Sequence, residues 1–290
     1  MEKIALIKEL RERTNGGMVD CKNALEASNW DIDKAITWLK SNGKIKAAKK
    51  AGRISAEGIL AIAGDEKKAI MIELNCETDF VAKNEKFQKA GDDIAKALLA
   101  SKAKNEKDTL KVKVDKDTVE ELTEHLTATI GEKTSFRRFT IVEAKKDEVL
   151  GVFLHINRQI ASIVTVKGND KESARNVAMH MAAMNPEFVF AKDLPKVRVE
   201  KFKAEFAIPA NFDKKPEKVQ EMIRENSLNK KISEVTLEKQ AFMMDESLSI
   251  EKYLANHKGT LVAAVRYGVG EGLEKRQDDF AAEVASQMKK

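Results

Sequence analysis

The chain alternates between stretches with apolar residues three or four apart and stretches in which every second residue is apolar. That alternation predicts helices and strands mixed along one chain. Ile4, Ile7 and Leu10 share a helical face before Asn15-Gly16-Gly17 breaks the pattern. Cys21, Ala24 and Leu25 mark a second helix. Asn29 or Asp31 can cap a third, with Ile32, Ala35, Ile36 and Leu39 facing inward and Gly43 as its stop. Three such helices make a bundle of about 45 residues, near the lower size for independent folding. Residues 44–53 then read as a helical, basic linker.

Strand alternation follows at residues 58–63 and 69–74, on either side of the charged turn Gly64-Asp65-Glu66-Lys67-Lys68, and a long helix is expected over about residues 79–101. The same order returns later. Strand patterns at 149–155 and 160–166 flank a turn at Asn157-Arg158, and a helix over about 171–184 ends before Pro186. Two hairpins, each covered by a helix, predict an α+β core with antiparallel pairing. Between the copies lie a helix at about 119–130 and a strand at about 137–144. Residues 197–206 and 216–234 are highly charged helical patterns joined by Ile208-Pro209-Ala210-Asn211-Phe212-Asp213, which predicts an antiparallel helical hairpin. Such charge alternation also suits a helix pair packed flat on the surface. Residues 261–267 read as a strand and Gly268-Val269-Gly270-Glu271-Gly272 breaks the chain. Residues 273–288 form an amphipathic helical pattern with Phe280 and Val284 on one face. The expected organisation is therefore a bundle plus linker over 1–53 and a first core half over 54–144. The second half takes 145–186 with 236–270, the helical-hairpin insertion 187–235, and a C-terminal helical module 271–290.

Composition narrows the class. At 290 residues the length suggests about two domains, and 34% charged with 42% hydrophobic residues fits a soluble globular protein. No apolar run approaches the ~18 residues that would span a bilayer. The first residues enter a helical pattern directly, without an apolar signal region or an acid-poor presequence, so a cytoplasmic protein is expected. Cys21 and Cys76 form no CxxC and suit a reducing compartment as small buried or half-buried thiols. The net charge of +5 is uneven: residues 1–53 carry 12 Lys/Arg against 7 Asp/Glu, and the rest of the chain balances. Lys44, Lys46, Lys49, Lys50 and Arg53 hold most of the excess. They read either as a polyanion-binding stripe or as a solvated helix end whose dipole favours cations.

The search for catalytic chemistry is negative. There is no GxSxG elbow and no HExxH, and His125, His155, His180 and His257 lack ligand spacing. Gly43-Lys44 is followed by Ile45 and has no glycine five positions earlier, so it is no phosphate loop. A protein without catalytic residues, metal or cofactor is the expectation.

The most informative stretch is Glu73-Leu74-Asn75-Cys76-Glu77-Thr78-Asp79-Phe80-Val81-Ala82-Lys83, where a strand pattern stops and a helical one starts. Elements on both sides fix the direction of side chains at such a corner. Asp79 suits an N-cap or first-turn position, worth about 0.5–2 kcal/mol. Phe80 lies seven residues before Phe87, which lies seven before Ile94, so periodicity places it on a buried helical face. Asn75 and Thr78 read as ordinary junction residues. The second copy has Gly168-Asn169-Asp170 at the equivalent point, so the scaffold closes without the acid and aromatic found here.

The run from Glu73 to Lys83 closely resembles the core signature of the elongation factor Ts family. Leu10-Arg11-Glu12-Arg13-Thr14-Asn15-Gly16-Gly17-Met18-Val19-Asp20-Cys21-Lys22-Asn23-Ala24-Leu25 resembles that family's N-terminal signature. Gly270-Glu271-Gly272-Leu273-Glu274-Lys275 and Asp279-Phe280-Ala281-Ala282-Glu283-Val284 resemble its ending, so the likeness covers essentially the full length. It implies a bundle of the ubiquitin-associated (UBA-like) type, a duplicated hairpin-plus-helix core, a projecting coiled-coil insertion and a C-terminal helix. It also implies a guanine nucleotide exchange factor for the GTPase elongation factor Tu. Thr78, Asp79, Phe80 and Val81 would be the segment pushed into the partner, with Phe80 as the wedge, and Asn75 would be a further partner contact. Gly16, Gly17 and Met18 would stand at the bundle's contacting edge, and His155 would touch the partner from the second hairpin. No direct nucleic-acid or membrane partner is implied, and the helical hairpin leaves self-association open. The alternative from residues alone is an RNA- or ribosome-binding module using the basic stretch.

Overall fold

The computed structural model describes residues 2–14 and 16–274. Its first helices, α1 (Glu2–Thr14), α2 (Met18–Ala27) and α3 (Ile32–Lys50), bury Leu10, Cys21, Ala24, Leu25 and Ala35 in one small core. Asp31 caps α3 by accepting from the Lys34 amide at 2.9 Å. The break between α1 and α2 falls where it is expected, with Asn15 itself outside the described residues.

Gly43 does not stop the third helix. It lies inside α3, buried against Ala128 of a later helix, α7 (Val119–Ile130). Packing against the core carries α3 through a residue about 1 kcal/mol worse than Ala in a helix. The expected basic linker is therefore largely the last turns of α3. Lys40 pairs with Asp117 at 2.7 Å, and Lys50 donates to the Gly131 carbonyl at the end of α7.

The first core half contains β1 (Glu57–Gly64), β2 (Lys68–Cys76), α4 (Asp79–Ala82), α5 (Glu85–Ala100), α6 (Glu106–Leu110), β3 (Lys113–Val114), β4 (Asp117–Thr118), α7 and β5 (Ser135–Glu143). The second contains β6 (Glu148–Leu154), β7 (Ile160–Lys167) and α8 (Lys171–Met184). It resumes after an insertion with β8 (Ala241–Phe242), β9 (Asp245–Ser249), α11 (Ile250–Asn256) and β10 (Thr260–Gly268). The insertion is the pair α9 (Lys196–Ala204) and α10 (Glu217–Val235).

The internal repeat extends further than the two hairpins. In each half a third strand pairs antiparallel with the hairpin's second strand, giving the orders β1-β2-β5 and β6-β7-β10. The two sheets face each other through Leu60, Ala69 and Met71 on one side and Leu150, Ala161, Ile163 and Tyr267 on the other. Strand alternation sends the intervening residues outward to helices. Ile59, Ile70, Ile72 and Leu74 meet Phe87, Ile94 and Leu98 of α5. Val149, Val164 and Val166 meet Val177, Ala178 and Met181 of α8 and Leu254 of α11. The fold is α+β, with two sheets inside two helical layers. Gly151 is required: a Cβ there would stand 1.9 Å from the Ala174 carbonyl oxygen, so α8 lies directly on β6.

The helix expected over 79–101 is two helices. Asn84 accepts from the Lys86 and Phe87 amides and starts α5 afresh. A side chain that caps a new helix competes with continuation of the old one. The restart changes the helical phase, so Phe80 does not share the buried face of Phe87 and Ile94.

In the insertion no residue of α10 is buried. Its joint is closed by Phe206 and Phe212, 5.5 Å apart, with the Arg224 guanidinium 5.1 and 4.9 Å from the two rings. The helix expected over 273–288, with Phe280 and Val284, lies outside the described residues beyond Glu274.

The second half carries a pH-sensitive group. His180 is fully buried; its Nδ1 accepts from the Met243 amide at 3.2 Å and its Nε2 donates to Gln240 Oε1 at 3.1 Å. Burial pushes its pKa below 6.5, and the Gln240 bond only partly opposes that. Below about pH 6.5 the unfolded chain therefore binds more protons than the folded one, and stability falls with pH. Urea unfolding at pH 7 and 5.5 should show a loss attributable to His180 of up to about 1.4 kcal/mol per pH unit, and His180→Gln should flatten the slope. An unchanged slope in the variant would remove His180 from this role.

Candidate functional site

The corner between β2 and α5 is one turn of helix held from several directions. Thr78 caps α4, its Oγ1 accepting from the Val81 amide at 3.4 Å. Glu132 then grips Thr78 twice: the Thr78 amide donates to Oε2 at 2.9 Å and the hydroxyl donates to Oε1 at 2.7 Å. Glu132 follows Gly131, whose φ of 90° ends α7 in the left-handed conformation that glycine adopts freely. The Lys133 amide donates to Glu77 at 2.6 Å, and Arg53 beyond α3 reaches the same carboxylate at 3.1 Å. The ends of β2, α3 and α7 thus meet at the corner. Charge-assisted bonds of this kind are the stronger ones.

The four corner residues have different fates. Asp79 is exposed and pairs with Lys83 at 2.6 Å; that bond, against slight desolvation, holds its carboxyl below the usual range. Phe80 is 80% exposed. Val81 is buried in the first-half core beside Ala82, which corrects its expected place on the contacting surface. In a short helix adjacent side chains point apart, so rooting Val81 turns Phe80 outward. The thiol of the buried Cys76 donates to the Thr78 carbonyl at 3.2 Å, and burial pushes its pKa up to about 12, which leaves it protonated and unreactive.

Asn75 is likewise no surface residue. It is buried, and its amide nitrogen donates to the Glu57 carbonyl and to Glu73 Oε1, both at 3.1 Å. Beside it Glu73 is fully buried between Arg137 Nη1 at 2.9 Å, Arg138 Nε at 2.5 Å and the Gly270 amide at 2.7 Å. A register irregularity pairs Glu73 with Arg138 but Leu74 with Phe136. The bulge re-aims Arg137, so two consecutive arginines reach one carboxylate.

The structure brings the second hairpin to the same end of the sandwich. Gly58 is the register partner of Asn75, and its carbonyl accepts from Gln159 Nε2 at 2.8 Å. The Leu60 amide donates to the Arg158 carbonyl, and the Arg158 guanidinium grips Asp92 of α5 at 2.7 and 3.0 Å. His155 follows β6 on the exposed tip, its Nδ1 donating to Asn157 Oδ1 at 2.6 Å. In the bundle Gly16 is buried, since a Cβ there would meet Cys21 Sγ at 2.9 Å, while Gly17 and Met18 are exposed. That edge connects to the corner through α3 and α7.

Two residues of this region escape sequence reasoning. Glu132 sits in a featureless polar stretch, and nothing in its spacing announces its grip on Thr78. Ile156, 95% exposed, does carry a sequence signal: an isoleucine in a turn that favours polar residues.

The polyanion-binding reading of the basic stretch loses support. Of the basic stretch, Lys46 pairs with Asp20 at 2.8 Å, Lys50 with the Gly131 carbonyl, and Arg53 with Glu77. Much of the candidate polyanion stripe is thus engaged within the protein. Among the described residues no group of three or more His, Cys, Asp or Glu could hold a metal ion, and no helix is long and apolar enough to cross a membrane.

A family model described as Elongation factor TS matches residues 77–271. A protein named Elongation factor Ts from Mycoplasmopsis agalactiae is 50% identical over 296 residues, covering 100% of this chain and 99% of the relative. The protein of that name from Mycoplasmopsis synoviae is 49% identical, covering 99% of each chain. One from Limosilactobacillus reuteri is 41% identical, covering 99% of this chain and 98% of its own.

Proposed function

The chain belongs to the elongation factor Ts family of translation elongation factors, and from that premise we propose that it is a guanine nucleotide exchange factor for the GTPase elongation factor Tu, working in the cytoplasm. It makes and breaks no covalent bond. It binds the nucleotide-free GTPase more tightly than the GDP-bound form, and by linkage weakens GDP by the factor by which GDP weakens it.

The observation that carries this reading is Phe80, 80% exposed on a corner fixed by Glu132, Glu77 and buried Val81. A tightly held GDP depends on a Mg²⁺ ion at its phosphates and on the backbone cradle around them. A rigid aromatic pushed among the nearby switch elements disturbs both. Asp79, paired with Lys83, supplies charge beside it. The bundle edge at Gly17 and Met18 and the tip at His155 supply affinity elsewhere. Gly16, Asn75 and Val81 act from inside, holding these surfaces in place.

Stopped-flow release of a fluorescent GDP from elongation factor Tu tests this. Substoichiometric amounts of the chain should accelerate release, and excess unlabelled nucleotide should turn the chain over. Release at the intrinsic rate would end the proposal.

A further inference from the structure

The β6–β7 turn displays a side chain that its own folding does not use. His155, Ile156, Asn157 and Arg158 form a turn closed by the Arg158 amide on the His155 carbonyl at 2.8 Å. Arg158 has a φ of 58°, and Asn157 Oδ1 accepts from the Gln159 amide at 3.0 Å. Asparagine and a left-handed residue are what a tight turn demands, whereas a β-branched residue gains nothing there. Ile156 is nevertheless the most exposed of the large hydrophobics among the described residues, at 95%.

The tip is also stiff. His155 and Asn157 bond to each other beneath it, and Arg158 is clamped to Asp92 of α5 by a two-pronged ion pair. The Leu60 amide and the Gly58 carbonyl fasten the same loop to β1, whose partner strand β2 runs directly into Thr78. The tip is therefore fastened to the same two elements, α5 and the β1–β2 hairpin, that carry the corner. An exposed apolar side chain on a rigid mount has little conformational entropy to lose on binding, which is what makes an interface anchor effective.

We propose that Ile156 is a second apolar anchor, seated in an apolar recess on the surface of the same folded GTPase that Phe80 enters. This rests on the exchange-factor reading above. The common mount favours that occupant over a second copy of this chain, because a partner engaged at the corner is already held at this end of the sandwich. Phe80 and Ile156 then divide the work. Ile156 adds affinity in every nucleotide state, and Phe80 converts affinity into distortion.

The test is stimulated release of fluorescent GDP from elongation factor Tu, titrated with wild type, Ile156→Ser, Ile156→Leu and Phe80→Ala, with thermal melts and sedimentation velocity of each. Ile156→Ser should melt like wild type yet need about tenfold more protein for half-maximal stimulation, or about 1.4 kcal/mol. Its plateau rate should fall by no more than about twofold, because uniform binding affects saturation rather than the maximal rate. Ile156→Leu should restore most of the affinity, and Phe80→Ala should lower the plateau instead. Wild-type half-saturation in Ile156→Ser, or loss of a dimer without change in half-saturation, would overturn this inference while leaving the exchange reading intact. A wild-type chain that fails to accelerate release would sink both.

Discussion

Phe80→Ala is expected to lower the maximal rate of stimulated GDP release from elongation factor Tu by about 100-fold, or ~2.7 kcal/mol, while moving the protein's stability by no more than about 0.5 kcal/mol. The two halves of that statement come from one observation. Phe80 is 80% exposed, so truncation removes almost no buried contact and leaves no cavity. The corner's bonds involve Thr78, Glu132, Glu77 and Lys133, none of which touches the phenyl ring through a hydrogen bond. Phe87, of the same residue type and seven positions on, is fully buried between α5 and the sheet. Truncating it serves as the control, since losses of about 3–5 kcal/mol are typical of a buried phenylalanine. Stopped-flow release and urea unfolding on both variants would separate the roles. A Phe80→Ala protein that releases GDP at the wild-type rate would show that the wedge lies elsewhere.

Glu73→Gln is expected to cost about 3–5 kcal/mol at neutral pH, because it leaves two half-buried guanidinium groups without their counter-charge. Burial works against the charge on Glu73, but the Gly270 amide, Arg137, Arg138 and Asn75 outweigh it and hold the carboxyl below its usual range. A carboxyl depressed in the fold contributes stability fully above its unfolded value and loses it as the pH falls through the folded one. The gap between wild type and Glu73→Gln should therefore narrow as the pH drops below about 4.5, the ordinary carboxylate value. Position explains the size of the effect. Arg138 also stacks on Tyr267, 3.9 Å from the ring centroid, and donates to the Gly268 carbonyl at 3.0 Å. Glu73 thus joins β2 and β5 of one half to the end of β10 in the other. Chemical denaturation from pH 7 to 4 tests this, and a variant as stable as wild type at neutral pH would contradict it.

The elements that the sequence announces clearly are those signalled at both ends. The helix α7 spans the expected residues because Thr118 and Glu121 form a capping box and Gly131 ends it in a left-handed turn. Likewise α8 starts at the Asp170 cap and stops at left-handed Asn185, just before Pro186. The misjudged elements depend on distant packing or on one competing side chain. Gly43 reads as a stop, yet α7 holds α3 together through it. Asn84 reads as an exposed polar residue inside a helix, yet it starts a new one and undoes the seven-residue periodicity that placed Phe80 in the core. The two-residue strands β3, β4 and β8 are too short to show any period.

The candidate site was legible as a string but not as a set of roles. Within Glu73 to Val81, Glu73 and Asn75 serve the joint between the sheets, Cys76 and Val81 fill the core, and Thr78 starts the short helix. Asp79 and Phe80 alone project as large outward side chains at the helix start. Glu132 and Arg158, which hold the two presenting surfaces, are distant in sequence from what they support, and no local pattern could reveal them. The second core half has the same scaffold without that corner, which separates what folds the protein from what it displays.

The central claim is that binding of this chain and binding of GDP oppose each other on the same GTPase. The most direct measurement is the affinity of the chain for elongation factor Tu, first without nucleotide and then with saturating GDP and Mg²⁺, by titration calorimetry. The wild-type chain should bind about 100-fold more weakly in the presence of GDP and Mg²⁺, with GDP affinity reduced by the same factor when the chain is saturating, and Phe80→Ala should bring both factors toward unity. Equal affinity of the wild-type chain with and without GDP and Mg²⁺ would contradict the account.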